Sequence, residues 1–241
     1  MRRSLTLLAV LALVAAGCGS DETIALPQGS EPVQLDPADF SAEIDNPYFP
    51  MTPGSRWVYK EKDVDGTLNR VVVTVTNRTK TIMGIEARIV HDVVTVDSEL
   101  KEDTLDWYAQ DKAGNLWYLG EDTKEYEDGE VASTKGSWEA GRDGALAGVL
   151  LPADPELGMT YRQEYYKGEA EDRAEVESVD ESAEPAFGSF EGVLLKTRET
   201  TPLEPDLVEH KYYAKGVGVV LVLAASKEGP GREELISFKQ G

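Results

Sequence analysis

Two histidines have the widest chemical range of any residues in this 241-residue chain, because an imidazole titrating near neutrality works as acid, base or metal ligand. His91 lies in the strand-like run Ile85 to Val96, where alternation places it with Ile85, Ala87, Ile89 and Val93. Asp92 then faces the other way. His210 lies in the run Val208 to Ala214 and shares a side with Val208, Tyr212 and Ala214. Both imidazoles thus point to the more apolar side of their strands. If the two strands meet in one sheet or cavity, the pair and a carboxylate such as Glu164 or Asp106 would form a zinc-like site. The competing reading is two core histidines, each hydrogen-bonded to a tyrosine or to backbone. No HxxxH or HxH spacing is present, so no metal ligand is assigned.

An aromatic hairpin is the second constellation: Trp107-Tyr108-Ala109-Gln110, a turn at Asp111-Lys112-Ala113-Gly114, then Asn115-Leu116-Trp117-Tyr118. Pairing Gln110 with Asn115 sets Tyr108 opposite Trp117. One face then carries Asp106, Tyr108, Gln110, Asn115 and Trp117, a mixed aromatic and polar surface suited to a sugar, lipid or peptide. A slip of one residue would exchange the faces. Further tyrosines, Tyr161, Tyr165, Tyr166, Tyr212 and Tyr213, fit either a ligand cavity or simple strand preference. Carboxylate clusters at Glu121-Asp122, Glu125 to Asp128 and Glu169 to Asp172 lack the EF-hand ladder and read as solvated turns. The chain has no GxSxG, no Walker sequence and no GxGxxG followed by a helix, so neither a catalytic residue nor a cofactor is assigned.

The elements that must position these groups are strands. Arg56 to Lys60, Val71 to Thr76, Ile85 to Val96, Thr104 to Gln110, Asn115 to Gly120, Tyr161 to Tyr166, Ala174 to Val179, Val193 to Thr200, Val208 to Ala214, Val217 to Ala225 and Glu234 to Phe238 follow one another with turn signals between them. Asp65-Gly66 and Met83-Gly84 are tight hairpin signals. Ala145 to Leu151 reads as one short helical turn, and 121–144 as a long loop or irregular hairpin. Val217 to Leu223 is apolar on both sides and predicts a central, doubly covered strand. The fold class is all-β: one highly curved antiparallel sheet, a half-barrel or a sandwich.

The first residues fix an address. Arg2 and Arg3 precede an apolar run, Leu5 to Ala16, ending in Ala15-Ala16-Gly17-Cys18, and Cys18 is the only cysteine. A charged start, a short apolar run and small residues before a cut site make a secretory signal over 1–17. Small residues leading into a lone cysteine resemble the lipobox of bacterial lipoproteins. That resemblance implies a lipid on Cys18 (a diacylglyceryl group on sulfur and an acyl group such as palmitate on the amine) and anchoring to the outer face of the cytoplasmic membrane. Residues 18–44 carry Pro27, Gly29, Pro32 and Pro37 without a period and read as a flexible tether, with the folded domain at 45–241. The formal charge of −21 argues against nucleic acid as a partner.

Asn46-Pro47-Tyr48-Phe49-Pro50, Gly54-Ser55-Arg56-Trp57-Val58-Tyr59, Gly136-Ser137-Trp138-Glu139-Ala140-Gly141 and Tyr161-Arg162-Gln163-Glu164-Tyr165-Tyr166 resemble segments of an uncharacterised β-rich lipoprotein family of actinobacterial type. Glu209-His210-Lys211-Tyr212-Tyr213-Ala214-Lys215-Gly216-Val217-Gly218 is similar to that family's closing hairpin, with Lys215 where a proline is common. The similarity spans about residues 45–222. It implies a β-rich envelope domain and no catalytic residues to carry over. The resulting expectation is a membrane-anchored, non-catalytic binding or scaffold lipoprotein. An amphipathic molecule or an envelope protein would sit against His91, Tyr108, Trp117, Tyr166, His210 and Tyr212. The alternative is a His- or metal-dependent envelope hydrolase around His91 and His210.

Overall fold

A computed structural model describes residues 26–241; the leader 1–17 and Cys18 lie outside the described residues. The strands are β1 (Phe40–Ser41), β2 (Arg56–Lys62), β3 (Leu68–Ile82), β4 (Ile85–Val96), β5 (Glu99–Asp111), β6 (Leu116–Glu127), β7 (Glu130–Ser133), β8 (Trp138–Glu139), β9 (Leu146–Leu151), β10 (Thr160–Arg162), β11 (Glu164–Tyr165), β12 (Arg173–Ala183), β13 (Phe190–Thr200), β14 (Val208–Ala214), β15 (Gly218–Ala225) and β16 (Pro230–Lys239). Several neighbours are joined by two-residue turns. Met83-Gly84, Asp97-Ser98 and Asp128-Gly129 all hold positive φ, at 51° and 84°, 50° and 72°, and 51° and 80°. This backbone twist matches the right-handed twist of the strands it joins, which is why Asp and Gly recur there.

The strands form one antiparallel sheet in the order β10-β12-β13-β14-β15-β16-β2-β3-β4-β5-β6-β9-β11. Its two edge strands, β10 and β11, are separated in the chain by Gln163 alone. The sheet therefore curls until its edges meet in one short stretch of chain, a nearly closed barrel. β10 pairs with β12 through Tyr161↔Ala174, and β11 pairs with β9 through Glu164↔Ala147. Arg162 locks this seam, donating from Nη2 to the Ala147 carbonyl at 2.8 Å. Gly148 on β9 lies so near that an added Cβ would stand 2.1 Å from the Gln163 oxygen. Only a residue without Cβ lets these backbones approach so closely.

One end of the barrel is stoppered by residues 44–55. Asn46 anchors the stopper, accepting from the Tyr48 amide and donating to the Gly114 and Pro152 carbonyls. Phe49 meets Trp57 edge to face at 5.5 Å, and Trp57 stacks on Phe238 at 5.2 Å. Gly218, at φ 109°, admits Phe49, whose Cδ2 would lie 2.8 Å from an added Cβ.

Two expectations are corrected. Ala145 to Leu151 is not a helical turn: Leu146–Leu151 is β9, because its backbone pairs with β6 on one side and β11 on the other. The tether does not extend to residue 44. Leu26, Val33, Leu35 and Phe40 pack against the core, and Pro37–Asp39 form a 3-10 turn capped by Asp36. Four isolated apolar side chains dock this stretch without any period that a sequence would show. The 121–144 region opens as the irregular hairpin expected there, since β6 runs to Glu127 and turns back into β7 with a register shift between Glu125 and Tyr126. β15 does lie between β14 and β16, central as expected.

Candidate functional site: the barrel interior

Directly opposed residues of an antiparallel pair project to one face, so the register reads out the interior row by row. Thr197, Lys211, Val222, Glu233, Glu61 and Asn69 are successive partners across β13, β14, β15, β16, β2 and β3. A second row, Val73, Asp92, Thr104 and Thr123, crosses β3 to β6. Between the two rows run Tyr59, Val71 and Val94.

Tyr59, Val71, Val73 and Val222 of these rows line an inner cavity of about 170 Å³, with Phe49 and Met51 from the stopper as its floor and Asp92, Asp106, Lys211 and Glu233 on its walls. Above it opens a mouth of about 640 Å³ bordered by the loops holding Asp63, Asp206 and Glu228. Val222 and Glu233 line both spaces, so they stand between the mouth and the inner cavity. Glu61, Glu204 and Glu209 add to the acidic rim, which Lys227 and Arg232 offset in part.

Enclosure shapes the chemistry of these acids, because a low-dielectric surrounding disfavours the charged form. Burial, reinforced by Glu61 and Glu209, pushes Glu233 up to about 8, while Lys211 pulls the other way. Burial also holds Asp92 well above the usual carboxylate range, with Asp106, Glu233 and Glu102 adding to it. The buried Asp92 Oδ1 has no hydrogen-bond partner. Burial raises Asp106 to about 6 and Glu121 to about 8, the Tyr118 hydroxyl opposing both shifts. That hydroxyl lies 2.7 Å from Asp106 Oδ1 and 3.1 Å from Glu121 Oε2. It has one proton to give. A proton chain satisfies all three groups: protonated Glu121 donates to Tyr118, and Tyr118 donates to ionised Asp106.

Lys211 is the contrasting case. Burial lowers its pKa, but Glu199 and Glu209 outweigh this and hold it well above the ordinary lysine value. Its Nζ lies 2.7 Å from Glu199 Oε2 and 3.7 Å from Glu209 Oε2. Glu199 Oε1 accepts from Thr197 at 2.9 Å and from Tyr213 at 3.3 Å, which fixes the carboxylate.

Of the six residues singled out from sequence, Tyr108 alone lines this cavity. His91 stands on the opposite side of β4 from Asp92, with Nε2 3.1 Å from Asp103. His210 stands on the opposite side of β14 from Lys211, 3.3 Å from Glu177, and Tyr212 shares that side beneath Lys196. β15, β16, β2 and β3 separate the two histidine strands, so each imidazole has its own carboxylate and the two do not converge. The hairpin register is Tyr108↔Tyr118 and Ala109↔Trp117, one residue away from the expected pairing. Tyr108 therefore stacks on Tyr118 at 4.8 Å. Trp117 occupies the other face, fully buried, beside Phe40 and donating to Asp111 Oδ2 at 2.8 Å. Tyr166 lines a separate surface pocket of about 310 Å³ with Trp107 and Trp138.

Glu61, Asp92, Lys211 and Glu233 were missed. Alternation separates the faces of β4 and β14, but the inner face is the one opposite the apolar side that the expectation turns inward. On β4 that face is covered from outside: Ile89 pairs with Trp107, which lies beneath Lys80 and the 137–145 segment.

No family model matches the chain, and no curated protein sequence does. Among solved structures, an inferred lipoprotein from Parabacteroides distasonis matches with a TM-score of 0.43 and 15% identity, over 80% of this chain and 98% of that one. An inferred exported protein with a YmcC-like fold from Bacteroides fragilis matches with a TM-score of 0.44 and 16% identity, over 80% and 99%. Neither likeness is close enough to carry a function across.

Proposed function

We propose that this protein is an exported, non-catalytic binding module, held on the outer face of the cytoplasmic membrane by a lipid on Cys18, whose barrel interior takes up a small ligand through the acidic mouth. The observation that supports this most is the placing of the acidic mouth next to the inner cavity, with Glu233 and Val222 bordering both and Phe49 and Met51 forming the apolar floor. Deep sites with apolar walls and a few convergent polar groups are the usual form of a ligand pocket. The metal form of the hydrolase alternative places His91 and His210 at one ion, whereas four strands separate them and each faces away from the cavity with a carboxylate of its own.

Native mass spectrometry of the full-length protein in phosphatidylcholine nanodiscs, after exposure to an envelope extract, tests the binding role. A bound mass that is lost on Val222→Trp, which crowds both the mouth and the inner cavity, is the expected result. A clean apo mass with no saturable uptake overturns the proposal. Metabolic labelling with radioactive palmitate tests the anchor: label is expected on the wild type and absent from Cys18→Ser.

A further inference from the structure

Building on the interior-binding reading, we infer that the ligand is an aliphatic di- or polyamine, a methylene chain carrying an ammonium group at each end, lying along the barrel axis. Three observations converge on this class.

The first is the arrangement of acids in two levels. Glu61 and Glu233 share the upper row, with Glu209 beside them at the mouth. Asp92 and Asp106 lie deeper on the wall of the inner cavity. Along β3 the rows of Glu61 and Asp92 are those of Asn69 and Val73, four residues apart, about 13 Å of strand. Tyr59, Val71 and Val94 fill the row between. Acid, apolar belt, acid is the complement of amine, methylenes, amine.

The second is Asp92 itself. Its Oδ1 is buried, faces the cavity and has no partner. An orphaned buried carboxyl oxygen is costly, and a fold keeps it where something else completes it. A neutral apolar ligand would leave this oxygen without a partner, and an anion would repel it. Among the described residues no group of three or more His, Cys, Asp or Glu side chains is placed to hold a metal ion. A dispersed organic cation fits the spacing better.

The third is Lys211. Its butylammonium side chain already lies in this interior, bound by Glu199 and Glu209. It shows how the interior holds an alkylammonium. It supplies one positive charge against the six carboxyls of Glu61, Asp92, Asp106, Glu199, Glu209 and Glu233, leaving the pairs at the two levels without a cation.

The titration of these acids supports the same conclusion. Glu233 faces Glu61 on β2 and Glu209 and Lys211 on β14; Asp92 faces Asp106 and Glu102 on β5 and Glu233 on β16. Glu233, at about 8, holds its proton at neutrality, and burial shifts Asp92 in the same direction. An arriving ammonium replaces each proton as the source of positive charge, so binding releases protons and strengthens as pH rises.

Isothermal titration of the full-length protein in phosphatidylcholine nanodiscs with spermidine, cadaverine, 1,5-pentanediol and magnesium ions tests the inference. Saturable one-to-one binding of the amines is expected, at least tenfold tighter at pH 8 than at pH 6, with proton release at pH 7 seen as a buffer-dependent heat. Asp92→Asn and Glu233→Gln should each weaken it tenfold or more, with unchanged circular dichroism confirming the fold. A polycation held by overall charge would lose little when one of 45 acidic side chains is neutralised, so binding indifferent to both variants overturns the inference. Equal binding of magnesium overturns it as well. Uptake of the diol or an envelope lipid without amine preference overturns the ligand class and leaves interior binding standing. No uptake of any probe or extract removes both.

Discussion

Glu233→Gln should stabilise the protein, and only above pH 5. The carboxyl of Glu233 titrates at about 8 in the folded protein, against 4.5 for an unencumbered glutamate. The sign follows from where the proton sits. As pH climbs from 4.5 the unfolded chain loses its proton first, so ionisation favours unfolding, and the loss of stability is complete once pH passes 8. The full cost across that window is about 5 kcal/mol. Water at the mouth screens part of it, so about 2 kcal/mol is the expected measured difference. Glutamine copies the neutral acid, so wild type and variant should be equally stable at pH 5 and diverge by pH 9. Urea denaturation at pH 5, 7 and 9 reads this directly, with m-values equal between the two proteins. A gap of the same size at pH 5 and pH 9 would mean the residue acts by packing. A variant less stable than wild type at pH 9 would refute the claim that this carboxyl is held neutral against its tendency to ionise.

Other perturbations address the seam and the outer face. Gly148→Ala should cost about 3 kcal/mol or more, because its Cβ meets the Gln163 oxygen at 2.1 Å and backbone must move; thermal melting checks it. Arg162→Ala removes hydrogen bonds to Gly29, Glu31 and Ala147 and should cost about 3 kcal/mol while exposing residues 26–35 to limited proteolysis. His91→Gln and His210→Gln should each leave stability within about 0.5 kcal/mol of wild type, since both pairs are part-exposed, and should leave amine binding unchanged in the titration.

The strands were legible because their boundaries are written locally. The bounds of β4 and β14 match the expected runs Ile85 to Val96 and Val208 to Ala214, each alternating and bounded by turn residues or proline-rich chain. The interior was not legible, for a physical reason. Alternation says which residues share a face, but which face is inner depends on what covers the outer one. Here the 137–145 segment covers the apolar side of β4 near Trp107, and the side bearing Asp92 turns inward. The hairpin register failed at one residue because Asp111 closes the loop: its amide donates to the Asn115 carbonyl, and its carboxylate accepts from the Asn115 amide and side chain. That moves the last strand pair outward and separates Tyr108 from Trp117. β9 was misread because its strand state comes from partners far along the chain, β6 and β11, which no local window contains.

The seam is also where the rest of the chain takes hold. Thr160 and Arg162 bind Gln28, Gly29 and Glu31, so the segment leading back toward Cys18 is stitched to the β10 edge. Cys18 and Leu26 are eight residues apart, a reach of at most about 29 Å. Under the proposed anchoring, any tension between membrane and domain arrives first at Arg162, as a peeling load that tests the hydrogen bonds one after another. Attachment would then set how readily the barrel gapes. A bilayer-bound copy and a freed copy would differ in their opening rates with every residue of the interior unchanged.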